Sequence, residues 1–181
     1  RIKTLMLGGN ALEDEGIKAL AEAIGGGSIV EVMNLSQNHV TDAGARHLSE
    51  ALKKNPALTT LVLASNAIEA QGAMYLAQAM RHNTRLKVLD VNNNRLGDRG
   101  AEHYANILRL ATHLQALHLA DCIIGDAGAK FLAPALAANS TLGMLDLDVN
   151  PITQVGQDAL VGAVRQRKDV GIMRVGNHAY G

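Results

Sequence analysis

The sequence is poor in rings, prolines and cysteines: of 181 residues, one is cysteine, three are proline, three are tyrosine, one is phenylalanine and none is tryptophan. The lone Cys122 rules out an internal disulfide, and an unpaired thiol fits a reducing compartment. The chain is therefore expected in the cytoplasm, or in a host cytosol if it is a microbial effector. With only Tyr75, Tyr104, Phe131 and Tyr180 for rings, the interior must be filled by Leu, Ile, Val, Met and Ala. Such residues suit many thin, similar layers better than one bulky centre. Neither sign of charge is in excess. Lys plus Arg and Asp plus Glu each number 17, so no global field draws the chain to nucleic acid or to an anionic membrane. No apolar run approaches the roughly 20 residues that span a bilayer, and no signal-peptide pattern opens the chain. The first residue, Arg1, already stands inside a repeating pattern and no Met precedes it. The chain is thus read as one domain, residues 1–181, of a longer protein.

What is present is a period. Glycines fall at Gly16, Gly44, Gly72, Gly100, Gly128 and Gly156, always 28 apart. Asn10, Asn38, Asn66 and Asn94 keep the same spacing, Cys122 takes the next place, and Asn150 follows. Leu20, Leu48, Leu76, Leu132 and Leu160 form another column, with Tyr104 as its one substitution. Ile24, Leu52, Met80, Leu108, Leu136 and Val164 form a fourth. A fixed period of this length is the mark of stacked supersecondary units. Six full units are expected, with a truncated seventh running from Val170 through Met173 and Val175 to His178.

Each unit changes its hydrophobic rhythm halfway. Leu61 and Leu63, then Leu89 and Val91, are two apart, which indicates a short strand with one face buried. Gly72, Ala73, Leu76, Ala77 and Met80 follow three-and-four spacing, which indicates a helix burying one stripe. Asp14, Asp42, Asp98 and Asp126 precede the periodic Gly by two, where a carboxylate can accept from free N–H groups at a helix start. The Asn column is expected to satisfy backbone groups where the chain leaves the strand. The Gly column serves either close packing or an unusual backbone angle. Cys122, in an Asn slot, reads as a buried structural residue rather than a reactive thiol.

The pattern L-x-x-L-x-L-x-x-N-x-I-x-x-x-G-A-x-x-L-A-x-A-L resembles the leucine-rich repeats of ribonuclease inhibitor and of NOD-like receptors, over the whole chain. The resemblance implies an α/β solenoid, a horseshoe with parallel strands on the concave face and helices on the convex face. It implies a non-enzymatic module that binds another protein, with the uniform 28-residue unit nearest the NOD-like-receptor kind. Ribonuclease inhibitor itself alternates Asn and Cys repeats, whereas five of the six slots here hold Asn.

Specificity in such a solenoid lies in the variable residues of the strand face. The central row reads Met6, Asn34, Val62, Asp90, His118, Asp146 and Arg174. The next rows read Gly8, Ser36, Ala64, Asn92, Ala120, Asp148 and Gly176, then Gly9, Gln37, Ser65, Asn93, Asp121, Val149 and Asn177. Adjacent strands lie about 4.8 Å apart, so row neighbours are true neighbours. The first half of this face is small and nearly uncharged. The second half gathers Asp90, Asn92, Asn93, His118, Asp121, Asp146, Asp148 and Arg174. Its four carboxylates around one His read either as a solvated polar face or as the receiver of a partner protein's basic segment, where complementary charge sets register and encounter rate. A metal or acid–base site is disfavoured, because an open sheet supplies no water-excluding pocket. No cofactor motif is present. Gly25-Gly26-Gly27-Ser28 lacks the phosphate-loop spacing and follows a helix instead of opening one.

Lys53, Lys54, Arg81, Arg85, Arg109, Arg165, Arg167 and Lys168 follow the helix ends, where cations complement the negative pole. Nucleic-acid binding is disfavoured because these cations are not interleaved with aromatics. One helix row, Ala19, His47, Tyr75, His103, Phe131 and Ala159, reads as helix–helix packing or as a lateral stripe for a partner. Two other function classes fit the same pattern. One is GTPase activation of the Ran type, a family that resembles this fold. The other is a structural spacer, including self-association through the end repeats.

Overall fold

The computed structural model describes residues 2–111, 113–167 and 171–176. Lys168, Val170, Asn177, His178 and Tyr180, used in the sequence reading above, lie outside them. Seven strands alternate with six helices: β1 Thr4–Met6, α1 Glu13–Ile24, β2 Val32–Asn34, α2 Asp42–Lys54, β3 Thr60–Val62, α3 Ala70–Ala79, β4 Val88–Asp90, α4 Gly97–Leu108, β5 Ala116–His118, α5 Asp126–Ala138, β6 Met144–Asp146, α6 Gln154–Arg165 and β7 Ile172–Arg174. The strands form one parallel sheet in chain order. Each pairs with the next in a register of 28, so that Met6, Asn34, Val62, Asp90, His118, Asp146 and Arg174 stand side by side. The expected solenoid is therefore present. Packed helices need about 8–10 Å between axes and paired strands about 4.8 Å. Stacking the same unit thus bends the array toward the sheet and makes the strand face the inner one.

The core is the row-by-row sum of the repeat columns. Met33, Leu61, Leu89, Leu117 and Leu145 point inward from the strands, and Leu48, Leu76, Tyr104, Leu132 and Leu160 meet them from the helices, all buried. Leu5 and Leu20 at one end and Met173 and Val164 at the other are only partly covered, because among the described residues the first and last repeats are stacked on one side only. Tyr104 is fully buried in the leucine column and its hydroxyl has no hydrogen-bond partner among the described residues. Among the described residues, no helix is long and apolar enough to cross a membrane.

Polar side chains tie the layers together in three ladders. The first is the Asn column expected from the sequence. Asn66 Oδ1 accepts the N–H groups of Asn38 and Val40 in the preceding repeat, while its Nδ2 donates to the carbonyls of Leu35 and Leu63. Asn38, Asn94 and Asn150 repeat the arrangement. Cys122 holds the slot with sulfur, 3.2 Å from the Val91 carbonyl. Burial, the largest cause, pushes its thiol up to about 12.

The second ladder joins helix starts, and it departs from expectation. The Asp carboxylates cap the helix of the next repeat, not their own. Asp14 Oδ1 accepts from Thr41 and Gly44, Asp42 from Glu69 and Gly72, Asp98 from Gly125 and Gly128, and Asp126 from Thr153 and Gly156, all at 2.7–3.1 Å. This settles the role of the Gly column as close packing. A Cβ at Gly72 would lie 2.5 Å from the Asp42 carboxylate and 2.6 Å from Ile68.

The third ladder joins helix ends. Asn55 Nδ2 donates to Ile24 O, Asn83 to Leu52 O and Asn139 to Leu108 O, each at 2.7 Å, while their Oδ1 atoms receive the N–H groups that lead into the next strand. Ala70 stands where the second ladder needs Asp, and Ala111 where the third needs Asn. Both omissions fall on the step from α3 to α4.

Candidate interaction surface

Strand register brings Asp90, His118, Asp146 and Arg174 together across β4 to β7. The row is less uniformly open than its alternation suggests. Met6 and Arg174, at the two ends, are exposed, Asp90 and His118 are half-buried, and Asp146 is 8% exposed. Asp146 is withdrawn because its two oxygens are engaged locally. Oδ1 accepts the N–H of Asp148 at 3.1 Å, and Oδ2 lies 3.8 Å from His118 Nδ1, an ion pair when the imidazole is protonated.

The same local turn recurs along the row. Asp90 Oδ1 accepts from Asn92 N at 3.0 Å, and Asn34 Oδ1 from Ser36 N at 2.9 Å. A short acceptor at this position bends the chain out of the three-residue strand. Asn92 is also partly committed to the fold, since its Oδ1 accepts from Ala120 N at 2.7 Å on the next strand.

The third row turns out not to be strand at all. Gly9, Gln37, Ser65, Asn93, Asp121 and Val149 all have φ between +51° and +73°. Each is the left-handed residue that turns the chain from sheet toward the Asn slot. Asn93 and Asp121 are thereby lifted to the rim, exposed, with Asn93 Nδ2 3.3 Å from Ser65 Oγ. Asp148 is half-buried one row in. The accessible acidity is thus carried by Asp121 and Asp148, with Asp90 behind them and Asp146 below. Among the described residues, no three of His, Cys, Asp and Glu are grouped so as to hold a metal ion.

On the outer face, the row His47, Tyr75, His103 and Ala159 is half-buried, and Phe131 is 40% exposed. His47 and Tyr75 line a groove between α2 and α3, and His103 lines one between α3 and α4. Gly25, Gly26 and Gly27 close α1 and turn the chain, with Gly27 at φ +72°, which is the helix-stop reading. Lys53, Lys54 and Arg165 lie in the last turns of α2 and α6.

Sequence reading missed the Asn55, Asn83 and Asn139 ladder and the cross-repeat direction of the Asp caps. The first carried a signal, since 55, 83 and 139 fit the same 28-residue period with one gap. The second carried none, because spacing does not say which helix a carboxylate faces.

Four segments, residues 2–21, 54–77, 82–102 and 111–133, match the family described as Leucine Rich repeat. A comparison of the sequence with curated proteins finds no match. Among solved structures, the chain is similar to leiomodin-1 actin-binding site 2, with a TM-score of 0.57 and 19% identity over 91% of this chain and 79% of that one. It is similar to the tropomodulin C-terminal domain of Caenorhabditis elegans, with a TM-score of 0.57 and 16% identity over 91% and 83%. An internalin of Listeria monocytogenes gives 0.50 and 16% over 99% of this chain and 48% of that one. At such identities the likeness concerns the fold. Repeat matches along parts of the sequence and the same strand–helix unit through the described residues agree on a leucine-rich-repeat-like solenoid.

Proposed function

We propose that the domain is a non-enzymatic protein-interaction module whose inner face receives a basic segment of a partner protein. The observation that carries this reading is the concentration of acid on one end of one face in a chain of zero net charge. Asp90, Asp121, Asp146 and Asp148 surround His118, with Asn92, Asn93 and Arg174 at the margins. The withdrawn Asp146 acts through its field and through its grip on the turn that presents Asp148. Asp121 and Asp148 make the direct contacts. Opposite charge on the partner speeds encounter and fixes register, and the contact weakens with salt because these groups are not deeply buried.

Within this reading, the uniform 28-residue unit favours a sensor arm of the NOD-like-receptor kind or a repeat effector. The single buried thiol favours a reducing, cytoplasmic setting. Leiomodin-1 is described by an actin-binding site, which makes actin a protein worth including among partners tested.

The experiment is a titration of the isotope-labelled chain with a synthetic Lys/Gly peptide and with actin, followed by amide shifts. Saturable shifts at the ends of β4 to β6 are expected, lost when Asp121, Asp146 and Asp148 are changed to Asn. Equal binding by that triple variant at low salt removes the proposal.

A further inference from the structure

The outer face carries a second surface of opposite character, and it does not rest on the reading of the inner face. A groove of about 350 Å³ opens between α3 and α4. Its floor is apolar, built from Met74 and Ala77 on one wall and Ile107 on the other, and Leu110 stands at its mouth, 61% exposed. Among the described residues, Arg81 and His103 are the only ionisable side chains that line it, and no carboxylate does.

The position of this groove is not accidental. Side-chain ties join four of the five pairs of successive helices. Asp14 and Asn55 join α1 to α2, Asp42 and Asn83 join α2 to α3, and Asp98 and Asn139 join α4 to α5. Asp126 joins α5 to α6. Between α3 and α4, Ala70 and Ala111 supply neither tie. At the same step Tyr104 fills a leucine position with a larger ring whose hydroxyl has no partner among the described residues. These two helices can therefore part slightly without breaking a side-chain hydrogen bond between them.

We propose that this groove docks an acidic segment of a partner protein, which inserts an apolar side chain between α3 and α4 and sets a carboxylate against Arg81 and His103. The volume lies at the low end of the roughly 300–1,000 Å³ range of binding pockets, so it takes one or two side chains rather than a buried helix. Insertion removes Leu110 and the half-buried Met74 from water, which supplies the affinity. The Arg81 guanidinium selects the sign of the partner, and the His103 ring N–H beside it helps fix its orientation.

The test uses the whole labelled chain and three synthetic amphipathic peptides, Leu/Glu, Leu/Lys and Ala/Glu. The Leu/Glu peptide is expected to give saturable amide shifts at Met74–Arg81 and His103–Leu110, and the other two to bind about tenfold more weakly or not at all. Arg81→Glu with Leu110→Ser, both at exposed positions, should weaken Leu/Glu binding by about tenfold with an unchanged melting temperature. Asp148→Asn, on the inner face, should leave that binding unchanged. Absence of saturable shifts, equal binding of the Leu/Lys peptide, or shifts confined to β4–β6 would each overturn the proposal.

Discussion

Asp98 of one repeat accepts the backbone N–H of Gly128 in the next, thirty residues on, at 2.8 Å. That bond decides how the following helix begins. Where a carboxylate is supplied from the preceding repeat, the residue before the helix is extended: Thr41, Glu69, Gly125 and Thr153. Where none is supplied, the chain enters the helix through a left-handed residue. Glu13 has φ +54° and Gly97 φ +59°, and the N–H groups of Gly16 and Gly100 turn back to the carbonyls of Leu12 and Leu96. A side chain in one layer thus sets the backbone of its neighbour.

Restoring the missing carboxylate should switch that geometry. In Ala70→Asp, Gly97 is expected to move to extended backbone while Gly97 N and Gly100 N donate to the new Asp. A helix-start acceptor of this kind contributes about 1 kcal/mol, or a rise of about 2–4 °C in melting temperature for a domain of this size. Thermal melts and the Gly97 amide shift read both effects. An unchanged Gly97 signal with no gain in stability would contradict the account.

Acid should loosen the second ladder at its Asp126 rung. The hydroxyl of Thr153, foremost, and the N–H groups of Thr153 and Gly156 hold the Asp126 carboxyl below the usual range. A carboxyl lowered in the folded state contributes stability that is present above its unfolded value and lost as the pH falls through the folded one. The melting temperature should therefore drop on acidification, and drop less in Asp126→Asn, which has nothing to titrate there. Parallel pH profiles for the two proteins would refute this.

Cys122 should be silent in the native protein. With its thiol pushed up to about 12 by burial, the thiolate that attacks alkylating reagents is scarce at neutral pH. Iodoacetamide is expected to label it only after denaturant unfolds the chain, with labelling and unfolding curves superimposed. Rapid native labelling would mean that the fifth Asn slot opens to solvent.

One residue in the left-handed row is poorly suited to it. Val149, at φ +59°, is β-branched, and that conformation costs an L-residue roughly 1–2 kcal/mol. Asn93 adopts the same geometry in an equivalent place with a side chain that tolerates it. Val149→Asn should stabilise the domain by about 1 kcal/mol, measured by denaturant midpoint at unchanged slope. A loss of stability would show that Val149, 37% exposed, contributes packing that outweighs the strain.

Much of this architecture is legible in the residues because a repeat states each rule six times. Gly44, Asn66 and Leu76 need no structure to be placed, since their columns recur and their chemistry permits few roles. The inner face was legible as rows but not as exposures. Asp90 and Asp146 share a row and a turn, yet only the folded structure reveals that Asp146 is spent on Asp148 and His118. Asp121 was placed among strand residues because alternation alone does not mark where a three-residue strand ends and a left-handed turn begins. Departures from the pattern, Ala70, Ala111 and Tyr104, carry information only once the bonds they omit, or the space they fill, are seen.

The two alanines have a thermodynamic consequence. In a linear array, stability is a sum of unit energies and nearest-neighbour couplings, and here one coupling near the middle is short of two contributors. Melting need not then be all-or-none: the first three layers and the last four become separate cooperative blocks, each free to loosen while its fellow stays intact. A molecule bridging both blocks would sense that independence as an entropic cost, whereas one confined to either block would not.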